Sequence, residues 1–184
     1  METVLFLTLV TAGVWFFGGR RYFQINRAAS VLAQIPGCSP MFSVIGTDGS
    51  GVAMDTATKK LAFVDRRGAS SIYHFKDIVA LEVCKNGVAF TKTNRGSQFV
   101  GAMIGKALFG PLGFEVGGRT GSSTTSERVT ALSLKIYVSD IASPVREIGF
   151  YRGTGIEMNS RQFRKRAAAL NEWYARLHLA MANP

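Results

Sequence analysis

The residues able to do chemistry are few and scattered. His74 and His178 are the only histidines in 184 residues, and Cys38 and Cys84 the only cysteines. His74 lies close in sequence to Asp77 and Cys84, and a Cys–His pair can serve as nucleophile and base. No oxyanion element or family signature accompanies the pair, so a histidine of the sheet surface or core is the simpler reading. The two cysteines lack metal-ligand spacing and are too few for a disulfide framework. Gly101-Ala102-Met103-Ile104-Gly105-Lys106-Ala107 has the outline of a phosphate loop, but it lacks the four-residue spacer and the Ser/Thr after the lysine. Asp48-Gly49-Ser50-Gly51 lacks the alternating ligands of a calcium loop. No pair of carboxylates stands out for acid–base work. The sequence therefore predicts no catalytic residue, no metal and no cofactor, and the protein is read as a non-enzyme.

Charge carries more information. Lys and Arg number 22 against 12 Asp and Glu, giving +10, yet 47% of residues are hydrophobic and only 18% charged. A disordered basic tail needs low hydrophobicity, and a polytopic transporter needs several apolar spans; the chain fits neither. The last 26 residues hold five basic residues against one acidic. Arg161, Arg164, Lys165 and Arg166 crowd the start of the final predicted helix, where cations oppose the helix dipole. Arg161, Lys165 and Arg176 are expected to face away from its apolar stripe. Such residues can meet anionic headgroups; an ordinary solvated face is the alternative. No nucleic-acid motif or stacking platform is present, which argues against nucleic acid as partner.

The elements that position these residues begin with an apolar run. Residues 4–19 carry no charge and include Leu5, Phe6, Leu7, Val14, Trp15, Phe16 and Phe17; Arg20 and Arg21 follow at once. About 18 helical residues span roughly 27 Å, close to a hydrocarbon core. Glu2 precedes the run and no small-x-small site closes it, which favours a retained anchor over a cleaved leader. The positive flank places the remaining chain in the cytoplasm, N-out and single-pass. Residues 1–21 are thus read as a transmembrane anchor of a bacterial inner membrane, and 22–40 as a juxtamembrane helix or linker ended by Pro36-Gly37.

From residue 42 the hydrophobic period is two. Strands are expected at 60–65, 70–75, 78–85 and 88–93, around 132–138, and at Ile148 and Phe150. Asn86-Gly87 suits a type I′ hairpin turn. Ser160 is a plausible N-cap for a helix over 160–181, in which Phe163, Ala167, Leu170, Tyr174, Leu177 and Met181 form one apolar stripe. The fold class is α+β: one N-terminal transmembrane helix, then a small antiparallel β domain over 41–184 closed by an amphipathic C-terminal helix.

Residues 95–126 interrupt the β pattern. Gly101 and Gly105 are four apart, as are Gly113, Gly117 and Gly121, and small residues at that spacing let helices approach closely. Gly110-Pro111 reads as the turn of a helical hairpin. Three readings stay open: a hairpin dipping into the membrane or packing against the anchor, a self-association element, or a solvated loop. Lys106 and Glu115 weigh against deep insertion.

The order Gly51-Val52-Ala53-Met54-Asp55, Ile72-Tyr73-His74-Phe75-Lys76-Asp77-Ile78, Thr91-Lys92-Thr93-Asn94-Arg95-Gly96-Ser97-Gln98, the glycine segment, and Leu134-Lys135-Ile136-Tyr137-Val138 resembles bacterial membrane-associated proteins with a pleckstrin-homology-like domain carrying a Gly-rich insertion. The resemblance covers about residues 51–151 and implies a bent seven-stranded antiparallel sheet capped by a helix. It brings no assigned reaction and no functional residues. The expected function is a membrane-anchored interaction or scaffolding module at the cytoplasmic face, binding a protein partner or self-associating through the glycine hairpin. The alternative is an anionic-lipid- or nucleic-acid-binding module using the basic helix.

Overall fold

The computed structural model describes residues 24–95 and 128–184. The residues expected to form the anchor, Leu5, Phe6, Leu7, Val14, Trp15, Phe16, Phe17, Arg20 and Arg21, lie outside these, as do those expected to form the hairpin, Gly101, Gly105, Gly110, Pro111, Gly113, Gly117 and Gly121. Among the described residues no helix is long and apolar enough to cross a membrane.

Alternating apolar residues build two antiparallel sheets. β1 (Phe42–Ile45), β2 (Gly51–Asp55), β3 (Lys60–Val64) and β4 (Ser70–His74) form a meander in sequence order. β5 (Ile78–Lys85), β6 (Val88–Asn94), β7 (Arg128–Val138) and β8 (Val145–Glu157) form the second sheet, in the order β6-β5-β7-β8. Among the described residues the strands number eight, in two sheets, where the resemblance implies a bent sheet of seven. A 3-10 turn at Phe75–Asp77 separates the layers, held by the His74 amide donating to Asp77 Oδ2 at 2.9 Å. A turn there breaks the ladder between β4 and β5, so the chain changes sheet.

The core lies between the sheets. Val52, Leu61, Phe63 and Tyr73 meet Leu81, Val83, Leu134, Ile136 and Ile148 there. The last helix, α2 (Arg161–Ala182), closes the open end. Its expected stripe is buried in full, from Phe163 to Met181. The Ser160 hydroxyl accepts from the Phe163 amide at 3.1 Å, the N-cap the sequence predicts. α2 reaches both sheets: Tyr174 hydrogen-bonds Thr93 of β6, and the Arg176 guanidinium lies 4.2 Å from the Phe42 ring of β1.

Residues 24–33 are helical (α1) and carry the chain onto the outer face of the first sheet. Ala28, Leu32, Ile35 and Cys38 form a second apolar cluster with Ala53, Ala62 and Val64. Small residues make this approach close. A Cβ on Gly51 would stand 2.8 Å from a Leu32 methyl and 2.9 Å from Ile45 Cδ1. The segment expected as a juxtamembrane helix or linker is thus helical over 24–33 and covers a sheet face.

Two polar ties lock the layers, and a third, at Asp55, fixes the segment before β1 to the β2–β3 turn. The Thr47 amide donates to Gly149 O at 2.7 Å, and the Gly149 amide donates to Ser50 Oγ at 3.2 Å. Tyr73 Oη donates to Asp140 at 2.7 Å and accepts from Arg146 Nε at 3.0 Å. Asp55 accepts from the amides of Ser39, Ala57 and Thr58 and from the Thr58 hydroxyl, at 2.7–3.0 Å.

The connection between β6 and β7 is unusual. Both strands pair antiparallel with β5, on opposite sides of it, so they run parallel to each other. Arg95 donates its amide to Val79 O near the start of β5, whereas Arg128 is bonded by Asn86 beyond the end of β5. The two residues that bound the glycine segment thus sit at opposite ends of the sheet, about 20–25 Å apart by strand rise.

Candidate functional site

The surface that stands out is the first two turns of α2. Arg161, Arg164 and Lys165 are exposed and Arg166 is half-buried. Spacings of three and four put Arg161, Arg164 and Lys165 on one helical face. The first turn holds no acidic residue. Among the described residues none of the four has an ion-pair partner. Positive charge beside the exposed amides of a helix N-terminus is unfavourable, so this cluster adds nothing to the local stability of the helix. Its disposition suits an external anion.

Arg176 departs from its expected role. Rather than facing solvent with Arg161 and Lys165, it pairs with Glu172 at 2.5 Å and stacks on Phe42 and Trp173. A guanidinium so committed is part of the seam between α2 and β1.

The residues considered for nucleophilic chemistry are held otherwise. His74 is exposed at the end of β4. Cys84 is buried, and its thiol donates to Glu82 Oε1 at 3.3 Å. Burial, and then that hydrogen bond, push the thiol pKa above its ordinary value. Such a thiol is a poor nucleophile near neutral pH. Cys38 is raised too, by burial first and the nearby Asp55 second. His178 is buried and stacks on Tyr174 with ring centroids 6.4 Å apart; it is a core histidine.

Glu82 organises a polar network that the sequence reading missed. It accepts from Cys84, from Lys135 Nζ at 3.2 Å and from Tyr137 Oη at 3.0 Å. Burial pushes the Glu82 carboxyl up, but the hydrogen bonds from Cys84, Tyr137 and Lys135 outweigh it and hold the pKa below the usual value. The register places Glu82 opposite Lys135 and Ala80 opposite Tyr137. The alternation of Leu134 and Ile136 with Lys135 and Tyr137 carried the signal, but its partner strand had to be known. Among the described residues no group of His, Cys, Asp and Glu is arranged to hold a metal ion.

Two antiparallel sheets enclosing one core and closed by a C-terminal helix define a PH-like architecture, a class that serves protein or lipid interaction. A family model for glycine-zipper-containing PH domains matches residues 42–152, more than half of the chain. The chain belongs to that family. The matched range includes the four-residue glycine spacings of 101–121. Neither curated proteins nor solved structures gave a match.

Proposed function

We propose that this chain is a non-enzymatic interaction module working at the cytoplasmic face of a bacterial inner membrane. Residues 1–21 anchor it there as a single N-out span, and the basic turns of α2 contact anionic headgroups. The observation that carries this reading is the exposed trio Arg161, Arg164 and Lys165, without an acidic partner among the described residues. Each cation near an anionic surface contributes about 1 kcal/mol. Three or four together favour the bound state by on the order of 100-fold or more. In flotation of residues 22–184 with phosphatidylglycerol vesicles, changing Arg161, Arg164, Lys165 and Arg166 to Gln should reduce binding by about that factor. Undiminished binding would remove the basic turn from the interface.

The glycine-rich segment 95–126 is the second contact in this proposal, serving self-association or a protein partner. Its support is the glycine spacing together with membership of a glycine-zipper family. Glycines four apart form a close-packing seam only while they stay small. Crosslinking of the full chain in membranes should therefore yield oligomers that disappear when Gly101 and Gly105 become Leu; oligomers of unchanged abundance would count against the seam.

A further inference from the structure

A second cationic feature lies away from α2, where α1 crosses the β3–β4 turn. A hollow of about 310 Å³ opens there, lined by Gln24, Arg27, Gly49, Arg66, Arg67 and Gly68, with Ala28 and Asp65 completing its wall. Each group is placed by a physical constraint. Asp65 Oδ1 accepts from the amides of Arg67 at 2.9 Å and Ala69 at 2.8 Å, which fixes the turn. Gly68 takes φ +88°, open to glycine and costly for other residues. A Cβ at Gly68 would stand 2.9 Å from Arg27 Nε and 3.0 Å from its Cζ. The missing side chain therefore lets the Arg27 guanidinium lie directly over the turn.

The charges do not balance. Arg66 is consumed by Asp48 at 2.8 Å and Glu147 at 3.4 Å. Arg27 and Arg67 are exposed and have no acidic partner among the described residues. Asp65 is the one acid lining the hollow, and two guanidiniums outweigh it. Cations gathered on facing elements repel unless an anion joins them. Planar guanidinium forks match the oxygens of a phosphate group.

We infer that this hollow binds a phosphate group, gripped by Arg27 from α1 and Arg67 from the β3–β4 turn. Arg27 precedes the family-matched range of 42–152. The site is therefore built across the junction between the domain and the helix that leads into it. A phosphate bound there clamps α1 to the turn. The site is independent of the α2 surface.

The test uses the full chain in uncharged detergent, with arginine Nε–Hε resonances followed by NMR. Inorganic phosphate is added in one arm, and micelles doped with phosphatidic acid in the other. A free phosphate ligand shifts Arg27 and Arg67 in the first arm; a lipid headgroup shifts them only in the second. Arg27→Gln and Arg67→Gln should each weaken the response about tenfold, while Lys76→Gln, an exposed cation elsewhere, leaves it intact. The fourfold Gln variant of α2 should also leave it intact, which separates this site from the α2 reading. Unmoved Arg27 and Arg67 resonances in both arms overturn the proposal. So do Arg27→Gln and Arg67→Gln variants that respond like Lys76→Gln, their amide spectra showing them folded.

Discussion

At the scale of single residues, Asp55 shows how one carboxylate joins three segments. Its oxygens take the amide of Ser39, ahead of β1, and close the β2–β3 turn through Ala57 and Thr58. The backbone bond from Ser39 is the largest of the effects that hold its pKa at about 2, followed by those from Thr58. The unfolded value is near 3.9. The folded state thus binds the proton less well than the unfolded one, so the Asp55 contribution is complete above about pH 4. It is lost as pH falls from there through about 2. Asp55→Asn should lower the urea midpoint at pH 7 and flatten its fall between pH 4 and 2. A variant whose acid profile overlays that of the parent would show that Asp55 does not set it. The sequence marked this residue only as part of a motif; the donors from Ala57 and Thr58 are local to the turn, but Ser39, sixteen residues away, is brought to the carboxylate only by folding.

At the scale of elements, α2 answers two different demands. The Ser160 cap and the buried stripe serve stability, and both were legible in the sequence because helical spacing alone defines them. The basic first turns work against the helix. Arg161→Glu and Arg164→Glu should each raise stability by about 0.3–1 kcal/mol in thermal unfolding at low salt, by favouring the dipole. The same changes should weaken binding to phosphatidylglycerol vesicles. A helix gaining stability without losing vesicle binding would separate the charge from the function. The hairpin at Asn86-Gly87 was equally legible. Both residues have positive φ, +53° and +82°, as a type I′ turn requires. What its sequence did not show is the further use of Asn86. Its Oδ1 accepts from the Thr130 amide and hydroxyl, at 2.8 and 3.1 Å, pinning the turn to β7.

At the scale of the whole molecule, α1 belongs to the folded unit. Leu32 is 2% exposed although it precedes the family-matched range. Leu32→Ala in the full chain should cost about 2–5 kcal/mol in urea unfolding, as for other buried leucines. Gly51→Val, which crowds the same methyl, should cost about 1–3 kcal/mol. Hydrogen exchange over residues 24–33 should rise in both. A Leu32→Ala midpoint equal to that of the parent would mean that α1 rests on the sheet without stabilising it.

Local spacing marked the strands from β3 to β8, the hairpin turn, the cap and stripe of α2, and the glycine repeats that lie within the family-matched range, but not β1 and β2. These follow from period, turn chemistry and residue size, which act over a few neighbours. The division into two sheets, the docking of α1, the commitment of Arg176 to Phe42, and the opposite-end placement of Arg95 and Arg128 were decided by tertiary structure. Each depends on which distant strand a residue meets. Arg66 reads as free surface until Asp48 and Glu147, many residues away, are brought beside it, as does Arg176 until Phe42 is. Charges without an acidic partner among the described residues, as at α2 and beside Gly68, are open to an outside anion.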